Sequence, residues 1–460
     1  MFLKQYYLGC LAHASYLIGD EASGVAVVVD PRRDALGYQE EAAKHGLRIE
    51  HVVLTHFHAD FVAGHLELRD ALGAQIHLGA RGEAQYAVTP AHDGDELVLG
   101  RHVKLRFWET PGHTPEGITA LVFDRQVSED VPHAALTGDT LFIGDVGRPD
   151  LVASQGSSAE ELAGMLYDSL HDKLLTLPDE TLVYPAHGAG SLCGRNLSTD
   201  TVSTIGAQRA FNYALAPMSR EEFIHMATAD LPPAPAYFGY DALLNRTERP
   251  TSIRQTVITR LGLDALLREV NDGAQLLDVR DPVDFSAAHI DRAINVGLGG
   301  AFAQWAGAVL DPARPIALVV YPGGEQEAVT RLARVGFDRV VGFLNSGMQS
   351  LEPRPDLVAH TERIAAANLA EALEREKPFV LDVRNPAEFD AGHVPGAVNI
   401  PLPTLTARMD EVPADKPIAV YCASGYRSSV GASLLLAAER EVKELQGGYA
   451  AWGAQHLPQE

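Results

Sequence analysis

Leu54-Thr-His-Phe-His-Ala-Asp-Phe61 is the stretch that decides how the N-terminal part of this chain folds. Its first residue, Leu54, ends the short apolar run 52–54, which is typical of a buried strand. The residues that follow place His56, His58 and Asp60 at alternate positions of one loop. Imidazole and carboxylate groups delivered together by one strand end predict a metal site. The next position is Phe61, whose side chain has no atom that binds a metal.

The composition is that of an ordinary globular protein with a strong acidic excess. A chain of 460 residues is too long for one hydrophobic core and predicts about two to four domains. The net charge of -24 argues against a nucleic-acid or anionic-membrane surface. No secretory leader or membrane-spanning run stands out, so we expect a cytoplasmic protein. Cys10, Cys193 and Cys422 are widely separated and predict free thiols.

Short β-branched runs alternate with helical patterns through the first quarter of the chain, which predicts an α/β layer structure. Val25–Val29 is a strand candidate, and residues 34–45 are predicted to form a helix capped by Asp34 and stopped by Gly46. Further strand candidates lie between Gly, Pro and Asp turns at residues 75–78, 96–99, 102–108, 118–123 and 134–136. This pattern predicts a two-sheet sandwich with outer helices.

Four more fragments place possible metal ligands at strand ends. They are Thr110-Pro-Gly-His113-Thr-Pro, Thr137-Gly-Asp139-Thr, Gly147-Arg148-Pro-Asp150 and Tyr184-Pro-Ala-His187-Gly. With the first stretch, their order and rough spacing resemble the metallo-β-lactamase superfamily over residues 1 to about 240, and more narrowly the persulfide dioxygenases. The resemblance implies an αββα sandwich over residues 1–245.

Phe61 separates two versions of the implied metal site. Hydrolases of this superfamily with two metals usually read His-X-His-X-Asp-His, and Phe61 stands in the last position. In that version one ion is held by His56, His58 and His113, Asp139 bridges, and the second ion takes Asp60, His187 and residue 61. Because phenylalanine cannot ligate, the second ion loses a ligand.

The persulfide dioxygenase pattern implies a single Fe(II) per chain. His56, His113 and Asp139 would form a two-histidine, one-carboxylate face with open positions for dioxygen and substrate sulfur. The remaining groups, His58, Asp60 and His187, would orient these ligands by hydrogen bonds. If the site held zinc instead, His58 is available as a third imidazole ligand.

Four nearby side chains are further candidates for contact with substrate or sulfur. Cys193 follows His187 by six residues and either passes sulfur or is a small core residue. Arg148 and Arg195 either hold the carboxylates of a small thiol carrier or brace loops. Tyr184 belongs to the same group of possible contacts.

A connector and an internal repeat follow. Residues 231–238 are too proline-rich for a helix or a central strand, and we place a linker at residues 246–257. Asp278-Val-Arg280 then recurs as Asp382-Val-Arg384, 104 positions later, which predicts two copies of one α/β unit. With His393-Val-Pro-Gly-Ala-Val-Asn-Ile-Pro, these motifs resemble the rhodanese family over residues 258–355 and 356–460.

The second copy carries Cys422-Ala-Ser-Gly-Tyr-Arg427-Ser428 directly after a predicted strand. Backbone N–H groups of a loop that enters a helix lower the pKa of a thiol and stabilise a persulfide anion. We therefore predict Cys422 as nucleophile and sulfur carrier and Arg427 as a positive charge beside it. The loop predicted to cradle the persulfide consists of Ala423, Ser424, Gly425, Tyr426 and Ser428.

Other conserved-looking features of the repeat are predicted to be structural. Asp382, Arg384 and His393 are interpreted as internal scaffold. In the first copy Pro322 stands in place of the cysteine and Glu325 and Glu327 follow, so this loop cannot form a persulfide. We expect a catalytically inactive copy that serves as a spacer or as the interface of a homo-oligomer.

Together these features predict an enzyme that oxidises a low-molecular-weight thiol persulfide with O2 to sulfite and thiol. Cys422 would pass sulfane sulfur to or from sulfite, so that thiosulfate is made or used. The carrier thiol and the direction of transfer stay open. The alternatives are a dinuclear zinc thioester hydrolase of the glyoxalase II type fused to a sulfurtransferase, and a binding or sensing module.

Overall fold

The computed structural model describes residues 1–151, 156–195, 197–229, 231, 234–251 and 258–460. Its contacts form two compact units, Met1–Thr256 with Ala333–Gly336, and Val257–Leu332 with Phe337–Glu460. The predicted linker at residues 246–257 falls in part on residues 252–257, which lie outside the described residues. The domain boundaries given above therefore stay predictions.

Two sheets form the first unit. The strands are β1 (Phe2–Leu8), β2 (His13–Asp20), β3 (Val25–Val29), β4 (Arg48–Leu54), β5 (Gln75–Gly79), β6 (Thr89–Ala91), β7 (Glu96–Val98), β8 (Val103–Glu109), β9 (Ile118–Asp124), β10 (Ala134–Gly138), β11 (Leu182–Pro185) and β12 (Ser203–Thr204). One sheet has the order β1-β2-β3-β4-β5-β6, and the other has the order β12-β11-β10-β9-β8-β7.

Helices cover the outer faces of both sheets. They are α1 (Leu36–Lys44), α2 (His65–Leu72), α3 (Ala159–Asp172), α4 (Ile205–Phe211), α5 (Arg220–Thr228) and α6 (Tyr237–Arg246). Side chains alternate along each strand, so Tyr16 of β2 packs between the sheets while Leu17 packs outward with Tyr38 of α1. On the second sheet, Phe123 packs outward with Leu166 of α3. The predicted αββα sandwich is confirmed.

Two predicted elements of this unit were wrong in detail. Helix α1 begins at Leu36 after Ala35, and no side chain caps it. Asp34 does not cap the helix, and its carboxylate lies 3.4 Å from the Arg32 guanidinium. Tyr237 and Phe238, expected in a proline-rich connector, are the first residues of α6 and are buried. Pro235 precedes the helix, where proline removes no helical hydrogen bond, and burial of the apolar face stabilises the rest.

The second unit contains two copies of a smaller α/β fold. The strands are β13 (Arg260–Leu261), β14 (Gln275–Asp278), β15 (His289–Ile290), β16 (Ile294–Asn295), β17 (Ile316–Val319), β18 (Val340–Leu344), β19 (Val358–Ala359), β20 (Glu362–Ile364), β21 (Phe379–Asp382), β22 (Val398–Asn399), β23 (Ile418–Tyr421) and β24 (Val442–Leu445). The helices are α7 (Leu263–Asn271), α8 (Pro282–Ala287), α9 (Phe302–Val309), α10 (Glu325–Ala333), α11 (Ala366–Arg375), α12 (Pro386–Asp390), α13 (Tyr426–Ala437) and α14 (Gly448–Ala454).

The two copies share one sheet topology. The orders are β13-β18-β17-β14-β16 and β20-β24-β23-β21-β22, and both sheets are parallel. In each copy an arginine forks onto the aspartate two positions before it, Arg280 onto Asp278 and Arg384 onto Asp382. These pairs are buried beside the backbone they support, as expected for scaffold residues. Within the described part of the chain, no helix is long and apolar enough to cross a membrane.

Candidate metal centre and sulfur-carrying loop

The carboxyl ends of neighbouring strands bring the predicted ligands together. His56 follows β4, Asp139 follows β10, and His187 follows β11, which runs parallel to β10. Gly138 turns the chain at the end of β10 with a φ of 53°, and a Cβ there would lie 2.8 Å from Thr55. Glycine at this position therefore lets the two strand ends approach each other closely.

His56, His113 and Asp139 form the first group of possible ligands. Their donor atoms all lie within 4.8 Å of one another, and the three residues are buried. The Asp139 Oδ2 atom is 3.4 Å from His113 Nε2 and 3.8 Å from His56 Nε2. His113 donates from Nδ1 to the Arg148 carbonyl at 2.8 Å, which leaves its Nε2 lone pair facing the site.

The state of His56 fits a metal ligand. Its Nε2 atom is buried and has no hydrogen-bond partner, whereas its Nδ1 atom lies 3.0 Å from the Thr55 hydroxyl. Burial, together with the nearby His58, lowers the pKa of His56 well below its usual value, so the ring is neutral. A buried neutral imidazole with an unused lone pair is costly unless something binds it, and the fold implies a metal here.

His187 contacts the Asp139 carboxylate. Its Nδ1 atom bonds to Asp139 Oδ1 at 2.8 Å, and its Nε2 atom is 2.9 Å from Asp60 Oδ2. Burial opposes charge on this ring, but Asp139 and Asp60 raise the pKa of His187 well above its usual value. His187 Nδ1 contacts both oxygens of Asp139, at 2.8 Å from Oδ1 and 3.0 Å from Oδ2, and Oδ2 also faces His56 and His113. A hydrogen bond of this kind orients a carboxylate for a metal.

A second group of possible ligands adjoins the first. The donor atoms of His58, Asp60 and His187 also lie within 4.8 Å of one another. His58 Nε2 is 3.0 Å from Asp30 Oδ1. The buried ring of Phe61 lies 4.4 Å from the His58 ring, so an apolar group stands beside this cluster.

Two residues that the sequence prediction missed hold these loops in place. Asp30 accepts hydrogen bonds from the backbone N–H and the hydroxyl of Thr55, each at 2.8 Å. Asn245 of α6 donates to the carbonyls of His58 and Phe61 at 2.8 and 2.7 Å. Asp30 directly follows strand β3, so its position was a usable signal, whereas no local pattern marks Asn245.

The four candidate contacts for substrate or sulfur have differing surroundings. Cys193 is buried with Asp139 and His187, and burial, together with the charges of Asp60 and Asp139, raises the pKa of its thiol well above the usual value. Arg148 forks onto Asp150 at 2.7 Å. Arg195 donates to the carbonyls of residues 227 and 229. Burial raises the pKa of the half-buried Tyr184, and the roles of all four stay predictions.

Cys422 is buried at the end of β23 in a loop tied down on both sides. Its Sγ accepts the Gly425 N–H at 3.1 Å and lies 3.5 Å from the Ser428 hydroxyl. Gly425 has a φ of 123°, which a residue with a side chain rarely adopts. The Tyr426 hydroxyl donates to the Gly297 carbonyl at 2.6 Å, so the first copy contacts this loop. The geometry suits a sulfur anion held by backbone N–H groups.

Arg427 was predicted as a positive charge beside the sulfur, and in the structure this charge is paired with a carboxylate. Its guanidinium forms two 2.7 Å hydrogen bonds with the Glu388 carboxylate. Burial of this carboxylate is offset by Arg427, and the pKa of Glu388 lies below its usual value. The pair leaves little net charge at the loop. Glu388 lies on another helix, α12, and no spacing in the sequence connects it to Arg427.

Two family models match the chain. That of the metallo-beta-lactamase superfamily covers residues 8–187, and that of the rhodanese-like domain covers residues 263–352 and 365–455. The human protein "Persulfide dioxygenase ETHE1, mitochondrial" is 35% identical over 235 residues, which is 50% of this chain and 83% of that protein. The chain belongs to the metallo-beta-lactamase superfamily.

Two further proteins are similar to part of the chain. The cytoplasmic hydroxyacylglutathione hydrolase of Arabidopsis thaliana is 32% identical over 187 residues, 40% of this chain and 67% of that protein. A crystal structure of a metallo-beta-lactamase from Staphylococcus aureus superposes with a TM-score of 0.67 at 30% identity, covering 74% of this chain and 98% of that one.

This superfamily member joins a metallo-beta-lactamase domain homologous to persulfide dioxygenases to two rhodanese-like domains. The predicted fusion and fold class are confirmed. Homology over both regions places the chain among enzymes of sulfur metabolism that act on small sulfur compounds.

Proposed function

We propose that the N-terminal domain oxidises a low-molecular-weight thiol persulfide with O2 to sulfite and thiol, using one Fe(II) held by His56, His113 and Asp139. The rhodanese-like domain with Cys422 passes sulfane sulfur to or from sulfite. The observation that carries the proposal is the convergence of His56 Nε2, His113 Nε2 and Asp139 Oδ2, on a carboxylate that His187 orients through both of its oxygens. When bound there, ferrous iron supplies the redox chemistry and open positions for both reactants.

Each protein group has a separate task. The Arg148 carbonyl fixes the tautomer of His113, and Asp30 fixes Thr55 beside His56. The threonines that line the cavity with the ligands, Thr55, Thr110, Thr114 and Thr140, surround the position of the reacting sulfur with small polar groups. At the other site, the Gly425 N–H stabilises negative charge on Cys422.

A dinuclear thioester hydrolase is the second candidate. The cluster of His58, Asp60 and His187 and the similarity to the Arabidopsis hydrolase favour it. Against it, His187 is already bonded to Asp139 and close to Asp60, His58 is close to Asp30, and Phe61 supplies no ligand. Two zinc ions per chain with thioester hydrolysis and no oxygen uptake would support the hydrolase instead.

The test compares the wild type with Cys422→Ser after anaerobic iron loading. Oxygen uptake with a thiol persulfide, sulfite and thiosulfate are measured in the same samples. We expect the variant to keep its oxygen uptake within about twofold and to lose thiosulfate made by transfer, because Ser cannot carry sulfane sulfur. Loss of oxygen uptake in Cys422→Ser would contradict the division into two sites.

A further inference from the structure

A buried carboxylate lies behind the sulfur-carrying cysteine. The Ser428 hydroxyl is 3.5 Å from Cys422 Sγ and 2.8 Å from Glu444 Oε1. All three side chains are buried, and Glu444 lies on β24 next to the strand that ends at the cysteine. A serine hydroxyl donates one hydrogen and accepts others, so it can connect a thiol on one side to a carboxylate on the other. The Gly425 carbonyl, 3.0 Å from the Ser428 hydroxyl, is a second acceptor for that hydrogen, and Glu444 Oε1 is the nearer one.

The first copy shows that the fold itself does not require a carboxylate here. In the second copy, strand pairing sets Arg363, Glu444, Val420 and Leu381 in one row across the sheet. The same row in the first copy contains Arg260, Phe343, Leu318 and Leu277. Glu444 therefore takes the place of Phe343. The copy that has the cysteine carries the buried acid, and the copy that lacks the cysteine carries an apolar ring.

We propose that Cys422 and Glu444 share one proton through the Ser428 hydroxyl, so that negative charge passes between carboxylate and sulfur without exchange with solvent. In one state the thiol donates to Ser428 and Ser428 donates to the Glu444 carboxylate. In the other the Glu444 carboxylic acid donates to Ser428, and Ser428 donates to the Cys422 thiolate. The S–H bond breaks as the O–H bond of Glu444 forms, and nothing is oxidised or reduced.

The shared proton fits both halves of sulfur transfer, and this inference rests on the transfer proposed above. During loading, the thiolate attacks the sulfane sulfur of a donor. A bond from Cys422 Sγ to that sulfur forms, and the donor's S–S bond breaks with its electron pair leaving on sulfite or thiol. During discharge, an acceptor takes the outer sulfur, Cys422 leaves as thiolate, and the proton of Glu444 returns through Ser428.

Several charged groups lie around the pair. Burial raises the pKa of Glu444, and Ser428 and Arg363 only partly offset this. Arg427 and Arg384 have pKa values above their usual value, held there by Glu388 and Asp382 against burial. Burial and Asp382 raise the pKa of Tyr421. Arg363 Nε lies 3.3 Å from Glu444 Oε2. Nearby, Arg427 is paired with Glu388, Arg384 is paired with Asp382, and the Arg384 guanidinium lies over the Tyr449 ring.

The test is the pH dependence of alkylation of Cys422 by iodoacetamide, read on its own peptide by mass spectrometry. A cysteine that shares a proton with a carboxylate has a constant thiolate fraction between the two macroscopic pKa values of the pair. In the wild type we expect the rate to change less than about twofold from about pH 6.5 to about pH 8. In Glu444→Gln it rises about tenfold for each pH unit, because an isolated thiol follows solvent pH.

Two serine variants complete the design. Ser428→Ala breaks the connection and is expected to show the same steep profile as Glu444→Gln, which keeps the test open if the glutamine variant does not fold. Ser433→Ala removes a buried hydroxyl of the same helix, which donates to the Val430 carbonyl and accepts the Asn295 N–H, and should keep the flat profile because it contacts neither Cys422 nor Glu444. A steep wild-type profile, or identical profiles in wild type, Glu444→Gln and Ser428→Ala, would overturn the shared proton.

The readout needs no sulfur donor and no iron. If the protein transferred no sulfur but showed the flat profile, the shared proton would be supported and the proposed sulfur transfer would be contradicted. If the protein made thiosulfate but the wild-type profile was steep, the sulfur transfer would be supported and the shared proton would be contradicted.

Discussion

The Phe61 side chain lies beside the second cluster of possible metal ligands. Its ring lies 4.4 Å from His58 and 6.4 Å from His187, centroid to centroid, so the cluster of His58, Asp60 and His187 has an apolar neighbour where a further imidazole would fit. Phe61→His supplies that imidazole. We expect zinc-loaded protein to rise from about one to about two metal ions per chain, because a fourth protein donor completes a tetrahedral set.

The measurement is metal content by mass spectrometry after removal of loosely bound ions. Phe57→His is the matched control, since Phe57 is a buried phenylalanine of the same loop outside the cluster. An unchanged metal content in Phe61→His would show that the phenylalanine is not what limits the second cluster.

At the residue scale, candidate metal ligands could be predicted from the sequence where a motif follows a predicted strand. His56 and Asp139 could be predicted as candidate ligands because each follows an apolar run at a strand end, whereas His113, four residues after β8, was predicted from its Thr-Pro-Gly-His motif. Glu388 and Glu444 could not be predicted, because their partners Arg427 and Ser428 belong to another helix and the pairing depends on packing. The local sequence around a charged residue does not indicate which distant side chain it will contact.

At the element scale, α6 shows how a distant helix supports the metal loop. Asn245 bonds to the carbonyls of His58 and Phe61 and accepts the Ala63 N–H at 2.8 Å. Asn245→Ala leaves these buried groups unpaired. We expect iron affinity to fall about tenfold, as for other residues that orient metal ligands.

Competition with a chelator measures this change. Leu243→Ala on the same helix is the control, because the Leu243 side chain is exposed. Equal iron affinity in both variants would mean that the loop keeps its conformation without α6.

The prolines of residues 231–238 led to a wrong prediction of where α6 begins. The sequence predicted a connector through residue 238, yet the helix begins at Tyr237 and buries Tyr237, Phe238 and Asp241. Local propensity favoured an extended chain, and tertiary burial outweighed it. The strands of the sandwich were predictable for the opposite reason, since β-branched runs such as Val25–Val29 have both the propensity and the burial.

On the scale of the whole molecule, the copy without a cysteine supports the copy with one. Gly297 accepts the Tyr426 hydroxyl, and a Cβ on Gly300 would lie 2.4 Å from the Tyr426 ring. Gly300→Ala therefore displaces a residue of the sulfur-carrying loop. We expect sulfur transfer to fall about tenfold or more, since small displacements at a reacting group are costly. Oxygen uptake should not change.

Gly299→Ala is the control at the neighbouring position, where an added Cβ meets nothing within 4 Å. Thiosulfate formation and oxygen uptake are followed in both variants. If Gly300→Ala and Gly299→Ala transfer sulfur equally well, the first copy does not position the loop.

The contact between Tyr426 and Gly297 also bears on how the two copies diverge after duplication. The first copy has no cysteine at its own loop, where the exposed Pro322 can be replaced more freely than Gly323, whose φ of 89° favours glycine. Its segment around Gly297 and Gly300 is not free, because changes there act on the other copy's chemistry. Gly297 and Gly300 are thereby constrained by the loop that contains Cys422, although no cysteine stands at the corresponding position of their own copy.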